Sequence, residues 1–313
     1  MNLLEQIRGG IIGVAVGDAL GVPVEFKSRG YLKGNPVTEM IGFGSWNQPP
    51  GTWSDDTSLT LCLLEGLCSD YDIEQIGKLF VKWYREGYWG AHYKVFDIGG
   101  STRYSLERII KGESARFSGN IFEEDNGNGS LMRTLPLVYK LKEEHNIEVI
   151  YKKIKEVSAI THAHFRSCFS CFIYCVLGNL LLKGLSKSDA YIKMQIIVND
   201  YSINQQFNPE ELLLFERILN HNIAGFKEES ILSSGYVLHA LEASLWCFYT
   251  SNSYQEAVLK AVNLGGDTDT TAAITGGLAG LYYGVDEIPK TWRNQLQRLQ
   301  DIEDLILRFN ASL

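Results

Sequence analysis

Glycine recurs at every fourth position near both ends of this chain, as Gly9, Gly13, Gly17 and Gly21 and again as Gly276, Gly280 and Gly284. On an α-helix that spacing lines the glycines along one face and leaves a smooth ridge. Each glycine costs roughly 1 kcal/mol against alanine in a helix interior, so a row of them implies that close backbone approach offsets the cost. The pattern predicts two helices, from opposite ends of the sequence, packed tightly on each other. Such a contact would bring Asp18 and Glu25 towards the acidic run at Asp267. A glycine-rich N-terminal loop is the alternative, and it predicts no such approach.

Elsewhere helical periodicity dominates. Leu59, Leu63, Gly66 and Leu67 repeat at three and four residues, as do Ile274, Leu278 and Leu281, whereas no extended alternating run or regular strand–helix alternation stands out. An all-α bundle is therefore expected rather than an α/β sheet. The 313 residues are 45% hydrophobic, with seven prolines and no low-complexity linker, so a single domain over 1–313 with a large core is expected.

Charge and cysteine usage narrow the setting. A net charge of -8 without a long basic run argues against nucleic-acid binding through phosphates. Cys62, Cys68, Cys168, Cys171, Cys175 and Cys247 lie among apolar neighbours, which fits a reducing cytoplasm and no disulfide framework. The start carries Glu5, Arg8, Asp18 and Glu25 through its apolar stretch, unlike a signal peptide. Phe169 to Leu182 is interrupted by Ser170 and Asn179 and reads as a core helix rather than a membrane span. No membrane partner is expected, and a monomer is favoured.

Two acidic clusters carry the chemistry: Ser54-Asp55-Asp56-Thr57, and Asp267-Thr268-Asp269-Thr270 after Gly265-Gly266. Hydroxyls and carboxylates are hard donors suited to Mg²⁺ or Mn²⁺, and a cation is the usual reason to gather several carboxylates. Neighbouring Asp55 and Asp56 would point about 100° apart on a regular helix, so both can face one centre only at an irregular helix entry, which Pro49, Pro50 and Gly51 provide. Simple helix capping is the competing reading for the first cluster. Capping explains one acid of Asp267 and Asp269 but not the pair, and two acidic helix starts in one chain suggest a two-metal centre.

Other segments are weaker alone. Asn126-Gly127-Asn128-Gly129-Ser130, followed by Met132 and Arg133, either turns its amides and Arg133 to an anion or merely turns the chain. Asp97-Ile98-Gly99-Gly100-Ser101-Thr102 either lines a pocket or ends a segment. His162, His164, Cys168 and Cys171 suggest zinc, but the cysteines continue to Cys175 along one apolar face, as buried, inert cysteines do. His162 touches a ligand or is structural. A Gly-x-Ser-x-Gly elbow, a Walker loop and a well-placed dinucleotide fingerprint are all missing.

Taken in order, Gly17-Asp18-Ala19-Leu20-Gly21 with Glu25, Trp53-Ser54-Asp55-Asp56-Thr57, Asp97-Ile98-Gly99, Gly127 to Arg133, Thr161-His162 and Gly265 to Thr270 resemble the ADP-ribosylglycohydrolase family. The resemblance implies a compact all-α domain with two Mg²⁺ or Mn²⁺ ions at the floor of a cleft. It implies metal ligation by Ser54, Asp55, Asp56, Asp267, Asp269 and Thr270, with Glu25 as a ligand or the catalytic carboxylate and Asp56 as the second candidate for proton transfer. Gly127, Asn128, Gly129, Ser130, Leu131, Met132 and Arg133 would hold the diphosphate and its ribose. His162 and the turn of Asp97, Gly99, Gly100 and Ser101 would line the ADP-ribose pocket. Ser54 stands where many members carry threonine and keeps the hydroxyl. The implied substrate is an ADP-ribosylated protein or small ADP-ribose conjugate, with mono-ADP-ribose on arginine first. Serine-linked or O-acetyl-ADP-ribose, or binding without turnover, are the alternatives. Prenyl-diphosphate synthases also set aspartates on helices, but they need acids at i, i+1 and i+4, where Leu59 and Thr60 stand here.

Overall fold

Helices Leu3–Gly21 and Thr268–Tyr283 form the spine of the molecule, joined glycine face to glycine face. A Cβ at Gly9 would overlap the carbonyl of Gly280, one at Gly13 that of Gly276, one at Gly17 that of Ala272 and one at Gly21 the backbone of Asp269. One number falls as the other rises, so the helices run antiparallel, and the last step of the ridge lands on the second acidic cluster. Gly284 departs from the expected ridge: it caps the second helix at φ 93° and faces the Met1 sulfur. Tyr254 adds a third member by donating its hydroxyl to the Gly13 carbonyl at 2.8 Å. Gly13→Leu is expected to cost at least the upper end of the ~1–3 kcal/mol of ordinary overpacking, since its first carbon already meets rigid backbone. A melting temperature equal to that of the unaltered protein would refute the close-packing account.

Around this spine the computed structural model, which describes residues 1–313, sets sixteen α-helices and short 3₁₀ turns, with three isolated β-bridges and no sheet. One continuous cluster of 86 buried hydrophobic residues forms the core, as the all-α expectation requires. Helix Phe165–Leu182 lies in it, tied to the spine where the Tyr174 hydroxyl donates to the Ile274 carbonyl at 3.0 Å. Its Cys168, Cys171 and Cys175 are buried and unpaired, and His164 caps the helix by accepting the Arg166 amide. Those side chains thus have packing and capping roles rather than a zinc site. Both Leu3–Val24 and Phe165–Leu182 are long and apolar enough to cross a membrane, but 94% and 78% of them is buried inside the fold.

A carboxylate-floored cleft as the candidate functional site

From the spine helix, the Asp18 side chain reaches the start of helix Asp55–Gly66. Its two carboxylate oxygens accept the Ser54 amide at 2.9 and 3.1 Å, the Thr57 amide at 3.0 Å and the Thr57 hydroxyl at 2.6 Å. Burial pushes the Asp18 carboxyl up to about 6 while these hydrogen bonds pull it down. It is fully engaged in holding the helix entry, so it positions the first cluster rather than joining it. Ser54 then accepts the Asp56 amide at 3.3 Å and donates its hydroxyl to Asp56 Oδ2 at 3.1 Å. Thr270, 214 residues away in sequence, donates to the same oxygen at 3.3 Å. The two acidic helix starts therefore meet.

The Glu25 segment is clipped onto the second cluster. Phe26 donates its amide to the Gly266 carbonyl at 2.7 Å, and Gly266 returns one to the Lys27 carbonyl at 2.8 Å. Gly265 and Gly266 both sit at φ 75°, the left-handed region that glycine enters without strain. Glu25, Asp267 and Asp269 each present a ligand oxygen within 4.8 Å of one another.

Asp56 Oδ1, Asp267 Oδ1 and Asp269 Oδ2 are buried without a hydrogen-bond partner, and no lysine or arginine lines the cleft. Burial first, then mutual repulsion, holds the Asp55, Asp56 and Asp269 carboxyls well above the usual range. Glu25 is pushed up to about 9 by burial and the Asp97 charge, against the pull of the Trp46 indole N–H on its Oε2. Orphaned buried carboxylate oxygens are costly, and a hard divalent cation satisfies several at once. The residues present fit such an ion.

Asp97, read from the sequence only as part of a turn, belongs to this acidic group. It lies at φ 49°, lines the same cavity as Glu25, Asp55 and Asp267, and is raised to about 6 by burial and the Asp267 charge. No signal in Asp97-Ile98-Gly99 distinguishes a cluster member from a pocket wall, because the contact is set by tertiary packing.

Above the floor lies a cavity of about 240 Å³. Glu25, Asp55, Asp97, Asp267 and Thr270 reach it from below, and Gly99, Gly100, Ser101, Thr102, Gly127, Asn128, Gly129, Met132, His162 and Gly235 wall it. Ser54, Asp56 and Asp269 lie beneath this lining. Asp56, the second candidate for proton transfer, is 1% exposed and lies below the lining with Oδ2 accepting from Ser54 and Thr270 and Oδ1 unpaired. Asn128 bridges wall and floor by donating to Asp267 Oδ2 at 2.7 Å. Gly235, absent from the sequence expectations, accepts the Asn128 amide at 3.0 Å. A lone glycine after two serines gave no cue to that contact.

Three residues expected at the diphosphate do not reach the cleft. Leu131 is in the core, and Ser130 accepts the Ser158 hydroxyl at 2.9 Å. The Arg133 guanidinium is fully buried, donates to the Gly129 carbonyl and to Thr161 Oγ1 at 2.8 Å, and rests on the Phe80 ring at 4.8 Å. It braces the glycine loop from behind, and burial lowers it to about 10. His162 packs on Gly127 and Gly129, takes Thr161 Oγ1 at Nδ1 at 2.7 Å, and is held neutral by burial and Arg133, at about 3. Arg133→Met is expected to lower unfolding free energy by at least one hydrogen bond to a charged group, about 1.5–3 kcal/mol. The salt dependence of binding an anionic ligand in the cleft should stay unchanged, and a shallower salt dependence with intact stability would return Arg133 to the expected anion contact.

Fold and site together define a class: helical proteins with a carboxylate floor, assembled from remote helix starts, beneath a cleft walled by a glycine loop. Within it, the chain belongs to the ADP-ribosylglycohydrolase family, whose model matches residues 1–313. The ADP-ribosylarginine hydrolase Tri1 of Serratia proteamaculans (strain 568) is 34% identical over 308 residues, covering 96% of this chain and 78% of that protein. The ADP-ribosyl-(dinitrogen reductase) glycohydrolase of Rhodospirillum rubrum is 27% identical, covering 93% of this chain and 90% of that one. Among solved structures, an ADP-ribosylglycohydrolase-related protein complex aligns with a TM-score of 0.80 at 30% identity, over 99% of this chain and 98% of that one.

Proposed function

We propose that this chain is a divalent-cation-dependent hydrolase that removes mono-ADP-ribose from arginine side chains of proteins. The observation that carries the reading is the meeting of the two acidic helix starts, which leaves the Asp56, Asp267 and Asp269 oxygens buried and unpaired. A relative named as an ADP-ribosylarginine hydrolase, 34% identical, supports arginine as the acceptor.

Ser54, Asp55, Asp56, Asp267, Asp269 and Thr270 would hold two Mg²⁺ or Mn²⁺ ions, with Glu25 at the edge of the same centre. When bound, the ions supply the positive charge that orients ribose hydroxyls and acidifies water. The protein's own groups do the rest. In the reaction a water oxygen bonds to C1 of the distal ribose, the C1–nitrogen bond breaks, the water proton passes to a carboxylate and the leaving guanidine gains a proton. Glu25, on the cavity surface, is the group assigned to that proton traffic. Asp55 and Asp97 face the positive charge that develops at C1. Amides of Gly127 and Gly129 hold the diphosphate end, Asn128 ties that loop to Gly235 and Asp267, and neutral His162 packs the loop without adding charge. A cytoplasmic setting, where the six unpaired cysteines stay reduced, belongs to the same reading.

The test is release of free ADP-ribose from arginine- and serine-modified peptides, with Mg²⁺, with Mn²⁺ and with chelator. Cation-dependent release from the arginine peptide is expected. Release only from the serine peptide, or release indifferent to chelation, overturns the acceptor or the cation assignment respectively.

A further inference from the structure

Beside Glu25 stand three aromatic rings that the fold leaves exposed, at Phe26, or half-buried, at Trp46 and Phe96. Phe26, the next residue, is 70% exposed at φ 65°, a backbone region that bulky residues rarely adopt. Its ring centroid lies 6.4 Å from that of Trp46, which lies 5.7 Å from Phe96. Trp46 donates its indole N–H to Glu25 Oε2, and Ser45 donates to the Glu25 carbonyl at 2.6 Å. Phe96 immediately precedes Asp97, which lines the cavity. The rings are thus continuous with the carboxylate floor through both neighbours, and none of the protein's lysines or arginines stacks on them. Lys27, adjacent to Phe26, lies instead over Tyr31 at 5.7 Å.

Aromatic faces attract cations, and a planar guanidinium both stacks flat on rings and pairs bidentately with carboxylates. We propose that Phe26, Trp46 and Phe96 form an acceptor rim that takes the guanidinium side of ADP-ribosyl-arginine and sets preference for it over serine-linked or acetyl acceptors, which offer no cation to stack. This rests on the arginine hydrolase reading above. The ADP-ribose half of the substrate is held elsewhere, by the glycine loop and the floor.

The two halves separate the experiment. The double variant Phe26→Ala/Phe96→Ala should raise KM for an ADP-ribosyl-arginine peptide about tenfold while the affinity for ADP-ribose itself, by calorimetry, stays at the wild-type value. Phe26→Tyr, which keeps a ring, should retain most of the wild-type KM. Phe26 is exposed and Phe96 half-buried, and a melting curve checks that the fold is intact. An unchanged KM for the arginine peptide in the double variant, with the wild type active, overturns the rim and leaves the hydrolase reading standing. An equal loss of ADP-ribose affinity assigns the rings to shaping the cleft and also overturns it. A wild-type protein inactive on the arginine peptide overturns the functional reading, and the rim with it.

Discussion

Glu25→Gln should lower kcat on an ADP-ribosyl-arginine peptide by about 10²–10⁴, the usual reach of general acid–base catalysis, with cation at saturation. Glutamine keeps the volume and an oxygen to accept the Trp46 indole N–H, so the wall beside the cleft stays in place. What it loses is the ability to exchange a proton and one negative charge. The environment of Glu25 is tuned for that exchange: burial and the Asp97 charge push it up to about 9, far from the 4.5 of a free side chain, and a cation at the same centre would draw it down again. Two roles then separate by titration. A turnover defect that disappears as Mg²⁺ or Mn²⁺ is raised makes Glu25 a ligand, whereas one that persists at saturation makes it the proton-transfer group. Wild-type turnover at saturating cation removes it from the chemistry altogether. Asp56→Asn gives the contrast. That carboxylate lies beneath the lining and accepts from Ser54 and Thr270, so its loss should weaken cation affinity, read by calorimetry.

The spine was legible before any coordinates because its constraint is local and repeated. Glycines at a spacing of four state both that a helix exists and that its face is nearly bare, and the partner run at the other end carries the same statement. The acidic helix starts were legible for a related reason, since breakers, caps and hard donors all fall within a few adjacent residues. What stayed hidden depends on direction. Arg133 follows a glycine loop, which suggests an anion, yet its side chain turns inward to the Gly129 carbonyl and Thr161, and nothing local encodes that turn. Asp97, expected to line the pocket or to end a segment, both lines the cavity and joins the acid cluster on a left-handed backbone. Phe26 and Trp46 carry no pattern at all, because exposed aromatics in loops have no periodicity to read.

Stripped of divalent cations, the folded protein is expected to lose stability as pH rises, the reverse of ordinary acid denaturation. Asp18 and Asp97 are raised from 3.8 to about 6, and Glu25 from 4.5 to about 9. Below the unfolded values both states hold the protons, and no difference arises. Between the unfolded and folded values the native chain keeps protons that the unfolded chain has released, so stability falls by ~1.4 kcal/mol per pH unit for each retained proton. Asp55, Asp56 and Asp269 are raised in the same direction by burial and add to the fall. Above the folded values the carboxylates are ionised in both states, and the decline levels off with the native cluster carrying unrelieved repulsion. A cation that binds the ionised native cluster offsets that repulsion. At a hundredfold excess over Kd it would stabilise by about 2.7 kcal/mol, with an effect that grows as pH rises because protons no longer compete. Melting curves from pH roughly 5 to 9, in chelator and in Mg²⁺ or Mn²⁺, should therefore diverge towards alkaline pH. Parallel curves, or chelated protein that gains stability between those limits, would mean that these carboxylates are not the shared site on which the proposed chemistry depends.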